Sequence, residues 1–320
     1  MKILIVKISS MGDVIHTLPA LTDAQYYFPN IKFDWVIEEN LSIIPSWHTS
    51  VKKIIPIAIR RWRYNWFKKS IKKERYEFKK KLRKKKYDLI IDAQGLIKSS
   101  YMVTRIAYGF KHGLDYKSAK EPIASFFYNK KHYINKKQHA ITRIRKLFSL
   151  SIGYTISNKI KQYIIKHKFN KINTKNYYFI FIHGTTNINK EWPELYWRIL
   201  IKMICNLGFY IKIPWGTNLE KKRSLRLAKN FKKVIVLPYM NLTQISEQLL
   251  GATAIVSVDT GLSSLSAILS VPNITLYGPT DPNLVGRYGY LQKSFRSKDK
   301  KMSSLFPEYI FKNIKKLLNI

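Results

Sequence analysis

The chain has a single cysteine, Cys205, among its 320 residues. No intrachain disulfide and no cysteine-based metal site can be built from it, which fits a reducing, cytoplasmic setting. Acidic residues are scarce: 19 Asp plus Glu stand against 58 Lys plus Arg, for a formal net charge of +39. Long apolar runs are missing too. No stretch reaches the ~18 consecutive apolar residues that would suggest a membrane-spanning helix, and residues 3–6, followed by Lys7 and Ser9, are too short for a signal-peptide core. The chain is therefore expected to be soluble or peripheral. There is no G-x-x-x-x-G-K-[ST] loop, against a P-loop ATPase, and no G-x-G-x-x-G after the first strand, against an NAD enzyme. Neither the histidines nor any D-x-D pair shows metal-ligand spacing, so no metal and no cofactor is expected.

What is present is ample apolar material. Hydrophobic residues make up 46% of the chain and aromatics 14%, enough to offset chain entropy in a folded core. The length suits two domains of roughly 150 residues. The positive charge has two readings: an anionic partner such as nucleic acid or a phosphate-bearing membrane face, or drift toward residues with A/T-rich codons. The lysines are spread over nearly every segment, whereas a nucleic-acid footprint gathers on one face. Drift is the better account, and no specific nucleic acid is expected, although a basic nucleic-acid-binding protein is the rival of another class.

Strand-like and helix-like runs alternate, as an α/β fold requires. Strands are expected at 3–8, 32–37, 53–59 and 88–92, with helices at 14–28 (bent at Pro19), 71–85, 97–108 and 138–150. A weaker polar pattern at 156–176 reads as a linker between a first domain, 1–155, and a second, 177–304. In the second half strands are expected at 177–182, 209–213, 234–237, 254–258 and 273–277, separated by helices at 194–207, 219–230, 242–250 and 262–269. A closing helix follows within 305–320.

The most informative segment is the first: a buried strand runs into Ser9-Ser10-Met11-Gly12-Asp13 and a helix. In open α/β sheets ligands sit at such corners. Asp13 either caps the helix and complements its dipole or serves as a general base. Arg60, Arg61 and Arg63 follow another strand. They offer guanidiniums for carboxylates or phosphates, unless they form only a surface loop over Trp62. In the second half Thr185, Thr186 and Lys190 occupy a polar strand-to-helix loop. Asp259-Thr260-Gly261 opens a helix whose N–H groups can meet phosphate oxygens. Asp259 there would order the turn through its own hydrogen bonds. Glu220 follows Trp215-Gly216 and either accepts from ribose hydroxyls or is an ordinary helix-start carboxylate.

Together these residues resemble the ADP-heptose:lipopolysaccharide heptosyltransferases of glycosyltransferase family 9. The likeness is carried by residues 5–23, 55–63, 91–95, 214–216, 256–261 and 273–282 in collinear order. It implies a GT-B fold, with two Rossmann-like domains facing a central cleft. The N-terminal domain would hold the acceptor and the C-terminal one the nucleotide sugar. It implies an inverting transfer of L-glycero-D-manno-heptose from ADP-heptose to the inner Kdo of Kdo2-lipid A, at the cytoplasmic face of the inner membrane. The alternative within the family is an acceptor already carrying heptose. On matching positions Asp13 would be the base. Lys190, Thr185 and Thr186, with Thr260 and Gly261 beside Asp259, would cradle the diphosphate. Glu220 would hold ribose and the backbone near Met240 would touch adenine. Arg60, Arg61, Arg63 and Lys120 would bind the acidic acceptor. One departure stands out: the family pattern runs Asp-Thr-Gly-Leu-Ser-His, and here its last position is Ser264. Without the imidazole the resemblance implies either a weakened enzyme or compensation by Lys190 and the general excess of positive charge.

Overall fold

Lys2–Val6 forms the first strand, β1, and every residue in it except Lys2 is buried. A strand apolar on both faces belongs inside a sheet covered on both sides, the usual setting of parallel strands. β1 pairs in parallel with β2 (Lys32–Glu38) and β4 (Lys86–Asp92), so that Ile5 lies between Trp35 and Ile91. With β3 (Val51–Ile57), β5 (Tyr108–Leu114) and β6 (Lys130–His132) these make a 6-stranded parallel sheet of order β3-β2-β1-β4-β5-β6.

The second half repeats the wiring. β7 (Tyr178–Ile182), β8 (Tyr210–Ile213), β9 (Val234–Val236), β10 (Ala254–Val258), β11 (Asn273–Tyr277) and β12 (Gln292–Arg296) form a second 6-stranded sheet of order β12-β11-β10-β7-β8-β9. All its pairings are parallel. Read from its β9 edge, this is the order of the first sheet. In each sheet the chain starts in the middle, winds outward to one edge, then returns to wind the other way. The point where the winding reverses lies between β1 and β4 in one sheet and between β7 and β10 in the other.

This computed structural model describes residues 1–156, 169 and 177–319. The chain divides into two units, Met1–His167 and Lys168–Ile320. The division falls in the stretch read as a linker, which lies outside the described residues apart from Ile156 and Phe169. One core cluster of the first unit gathers Leu4, Val6, Val36, Ile55, Leu82, Ile90 and Val103. The core of the second gathers Phe179, Phe181, Trp192, Trp197, Val256 and Ile274, and the closing helix Pro307–Leu318 adds Ile310 and Ile314 to it.

Several elements differ from the sequence expectation. The helix expected at 14–28 is two helices, Met11–Ile15 and Leu18–Tyr27. The break comes at His16–Thr17 rather than at Pro19, which sits in the first turn of the second helix, where its missing N–H costs no hydrogen bond. The helix expected at 97–108 stops at Thr104 after a π-helical turn, Ser100–Thr104. There the hydroxyls of Ser99 and Thr104 donate to the buried Asp92 carboxylate at 3.3 and 2.8 Å. The arginine cluster is helical, Ile59–Tyr64, and not a loop.

Candidate active site

In the first unit the turn after β1 places Asp13 in the first turn of the helix Met11–Ile15. Its Oδ2 accepts from the Ser10 N–H at 3.0 Å and the Ser10 hydroxyl at 3.1 Å. Asp13 therefore does cap its helix. Both bonds fall on one oxygen, and among the described residues Oδ1 accepts none. Burial alone would raise the Asp13 pKa. The Lys7 ammonium, the two Ser10 contacts and His16 outweigh that and hold the carboxyl below its ordinary value. Asp13 is thus firmly ionised at neutral pH.

Around it is a cavity of about 130 Å³ lined by Lys7, Asp13, Gln94, Lys120, Arg143 and apolar neighbours. The turns after β1 and β4, on either side of the point where the winding reverses, form one part of it, and the helix Ala140–Ile152 supplies Arg143, Ile144 and Leu147 to the other. Gln94 ties them together, its Oε1 accepting from the N–H groups of Ile8 and Ser9 at 2.9 and 3.1 Å. Lys7 is buried and donates to the Ala93 carbonyl at 3.0 Å. Burial lowers its pKa, against the charges of Asp13 and Asp92. Arg143 is anchored on the Ser118 carbonyl at 2.8 Å. A carboxylate ringed by cations can accept a proton from a hydroxyl on an anionic molecule.

Of the residues expected to hold that molecule, Lys120 is exposed and lines this cavity. None of the three arginines does. Arg61 instead donates to Glu39 at 3.1 Å and to Glu74 at 2.9 Å, and lines a separate open groove of about 730 Å³ with Trp62, Phe78 and several lysines. In this structure its guanidinium pairs with these two carboxylates, while Arg60 and Arg63 are exposed. Arg60 receives support from below, where Glu38 accepts its backbone N–H at 3.0 Å.

In the second unit the turns after β7 and β10 meet at the equivalent point of the sheet. Thr185, half-buried, leans on the Asp259 carbonyl at 3.5 Å, and Thr186 is exposed. Asp259 follows β10, Thr260 caps the helix Gly261–Ile268 without a side-chain cap bond, and no acidic residue occupies the helix's first turn. Among the described residues, no side chain partners its leading N–H groups. Asp259 does order the turn. Its Oδ2 accepts from Lys190 at 2.7 Å and its Oδ1 from Arg287 at 3.0 Å. Burial raises its pKa, but Arg287 and Lys190 together bring it below the ordinary value. The result is a seat for an anion: two cations, one carboxylate, and a helix N-terminus.

Glu220 takes the plainer of its two roles in this structure. Its Oε2 accepts from the N–H groups of Gly216 and Thr217 at 2.7 and 3.1 Å, while the Thr217 hydroxyl accepts the Glu220 N–H at 3.2 Å. That is a capping box. Its other oxygen lies against Gly184, so a side chain at that position would have to push the Glu220 carboxylate aside. Met240 is half-buried in the loop between β9 and the helix Leu242–Gly251.

Sequence reasoning assigned no role to Lys7, Gln94, Arg143 or Arg287. Lys7 left a trace as the charge that interrupts an apolar strand. Arg287 left one as an arginine in a chain that otherwise favours lysine.

The chain matches the model of glycosyltransferase family 9 (heptosyltransferase) over residues 75–315. It is 52% identical over 307 residues to lipopolysaccharide heptosyltransferase 1 of Escherichia coli O18:K1:H7 (strain RS218 / NMEC), covering 95% of this chain and 94% of that one. The structure of E. coli heptosyltransferase WaaC with ADP superposes with a TM-score of 0.94 at 51% identity, over 99% of this chain and 100% of that one. That of the same enzyme with ADP-2-deoxy-2-fluoro heptose gives 0.92 at 50%, over 99% of each. With two sheets of Rossmann order and both candidate sites at the reversal points, this chain belongs to glycosyltransferase family 9, the heptosyltransferases.

Proposed function

We propose that this chain moves L-glycero-D-manno-heptose from ADP-heptose to the inner Kdo of Kdo2-lipid A, with inversion at the anomeric carbon. Asp13 removes the proton from the acceptor hydroxyl as its oxygen attacks that carbon. The bond to ADP breaks, and the transition state has oxocarbenium character. The negative charge left on the diphosphate is met by Lys190 and by the N–H groups at Thr260 and Gly261. Thr185 and Thr186 add hydroxyls, Glu220 accepts from the ribose, and the backbone at Met240 borders the adenine. Lys120 and Lys7 steady the acidic acceptor near Asp13, with Arg60 and Arg63 engaging it further out. The supporting observation is Asp13 itself: an ionised carboxylate with one oxygen unbonded among the described residues, set in a cavity lined by three cations.

A peripheral contact with the anionic inner-membrane surface completes the reading. Among the described residues no helix is long and apolar enough to cross a membrane. Tyr64, Trp66 and Phe67 are exposed, and beside them the helix Lys69–Arg83 turns Lys72, Lys73, Lys79 and Lys80 to solvent. Exposed aromatics next to lysines suit a surface that is apolar below and anionic above.

Mass spectrometry of Kdo2-lipid A incubated with the protein and ADP-heptose should show the addition of one heptose. Reaction of the mono-heptosylated acceptor instead would assign the chain to the next transfer, and turnover of neither would refute the reading.

A further inference from the structure

Arg287 is the most thoroughly engaged cation in the second unit. Its side chain is only 4% exposed. Nε donates to the Ser263 hydroxyl at 2.8 Å and Nη1 to the Val285 carbonyl at 2.7 Å. Nη2 donates to Asp259 Oδ1 and to the Thr260 carbonyl, both at 3.0 Å. Three of these four acceptors belong to Asp259, Thr260 and Ser263, the residues that form and follow the β10 turn.

This matters for charge. Lys190 and Asp259 alone would neutralise each other and leave only the helix dipole to hold an anion. With Arg287 present, two cations face one carboxylate and the corner keeps a single net positive charge. Arg287 also holds Oδ1 of Asp259. The Lys190 ammonium, which has three donors, can then turn one toward a phosphate without leaving a buried carboxylate unpaired. A few residues into the same helix, Ser264 is buried and its hydroxyl has no hydrogen bond among the described residues. This is the position at which the resemblance places an imidazole.

We propose that Arg287 is a positioning residue for the donor's diphosphate, supplying through the Asp259–Thr260 turn the second cation that position 264 does not. The proposal rests on the reading of this corner as the donor site. Calorimetric titration with ADP tests it independently of any sugar transfer. Arg287→Ala should weaken ADP binding by about tenfold or more, the scale of a lost hydrogen bond to a charged group, and raise the KM for ADP-heptose with the acceptor KM unchanged. Arg287→Lys, which keeps the charge and loses the planar fork, should fall between. Ser264→His in the Arg287→Ala background should recover part of the ADP affinity. Should Arg287→Ala not fold, Arg287→Gln carries the same comparison. A folded Arg287→Ala or Arg287→Gln protein that binds ADP as tightly as the parent overturns the proposal. Failure of Ser264→His to restore any affinity overturns the exchange between positions 264 and 287. A parent protein that binds ADP yet transfers no heptose would sink the functional reading and leave the Arg287 comparison standing.

Discussion

Asp13 caps its helix and, in the proposed reaction, also takes up a proton; a single substitution separates the two. Asn at this position still has an oxygen to accept from Ser10 and cap the helix, but it cannot take up a proton. Asp13→Asn should therefore lower the rate of transfer by about 10²–10⁴-fold, the usual worth of a general base, while ADP affinity stays close to the parent's and the melting temperature falls only by what the lost charge opposite Lys7 contributed. Steady-state kinetics alongside thermal melting would check this, and undiminished turnover would remove Asp13 from the chemistry. Because Lys7, Ser10 and His16 keep the carboxyl below its ordinary value, Asp13 itself should impose no acid limb on kcat/KM above about pH 4. A pH–rate profile falling between pH 5 and 6 with a pKa that Asp13→Glu shifts would contradict this. At the same scale Arg61 shows what local sequence leaves out. Its sequence neighbours suggest a ligand clamp, yet the acids that neutralise it, Glu39 and Glu74, come from other elements.

Among the elements, the closing helix illustrates how pattern becomes packing. Ile310 and Ile314 are buried in the second core while Lys312, between them, faces solvent. Ile310→Ala should cost about 2–5 kcal/mol, the range for emptying a well-packed aliphatic site, and Lys312→Ala less than ~0.5 kcal/mol. Urea midpoints of the two variants provide the comparison. Apolar strands were legible because burial on both faces leaves little choice of residue. β10 and β11 have the bounds their composition implies. β5 was not legible: its sequence, Tyr-Gly-Phe-Lys-His-Gly-Leu, contains two glycines and a lysine, and the preceding helical pattern runs into it without a breaker. β6 and β12 are edge strands, partnered on one side only, and their Lys, Gln and Ser content reflects that. The helix at Ile59–Tyr64 was hidden by Ile59 itself, which prolongs a strand-like run past its true end at Ile57. The corners after β1, β7 and β10 were readable from local order. The partners of Arg287 and Gln94, distant in sequence, were not.

For the whole molecule, two buried histidines set an acid limit on stability. Burial, with smaller help from nearby cations, lowers His183 to about 4, and burial beside His132 lowers His112 to about 4. In the unfolded chain each ring protonates near ~6.5. Between those values the unfolded chain binds more protons, so stability is complete above about 6.5 and falls as the pH drops toward 4. Melting temperatures measured from pH 7.5 down to 4.5 should decline over this window, and a His112→Gln, His183→Gln double variant should show a shallower slope. An equal slope would remove the two rings as its source. The net charge of +39 adds self-repulsion on top, which moderate salt should relieve.

The shared strand order of the two sheets has an evolutionary and practical corollary. One blueprint appears twice in a single polypeptide, and at the same address in each copy a few residues set the charge of the corner: a carboxylate among cations in one, two cations on one carboxylate at a helix start in the other. Specialisation of this kind leaves the β-scaffold untouched. Efforts to retarget such a catalyst to another sugar nucleotide or another acceptor should therefore graft short connecting turns and spare the strands.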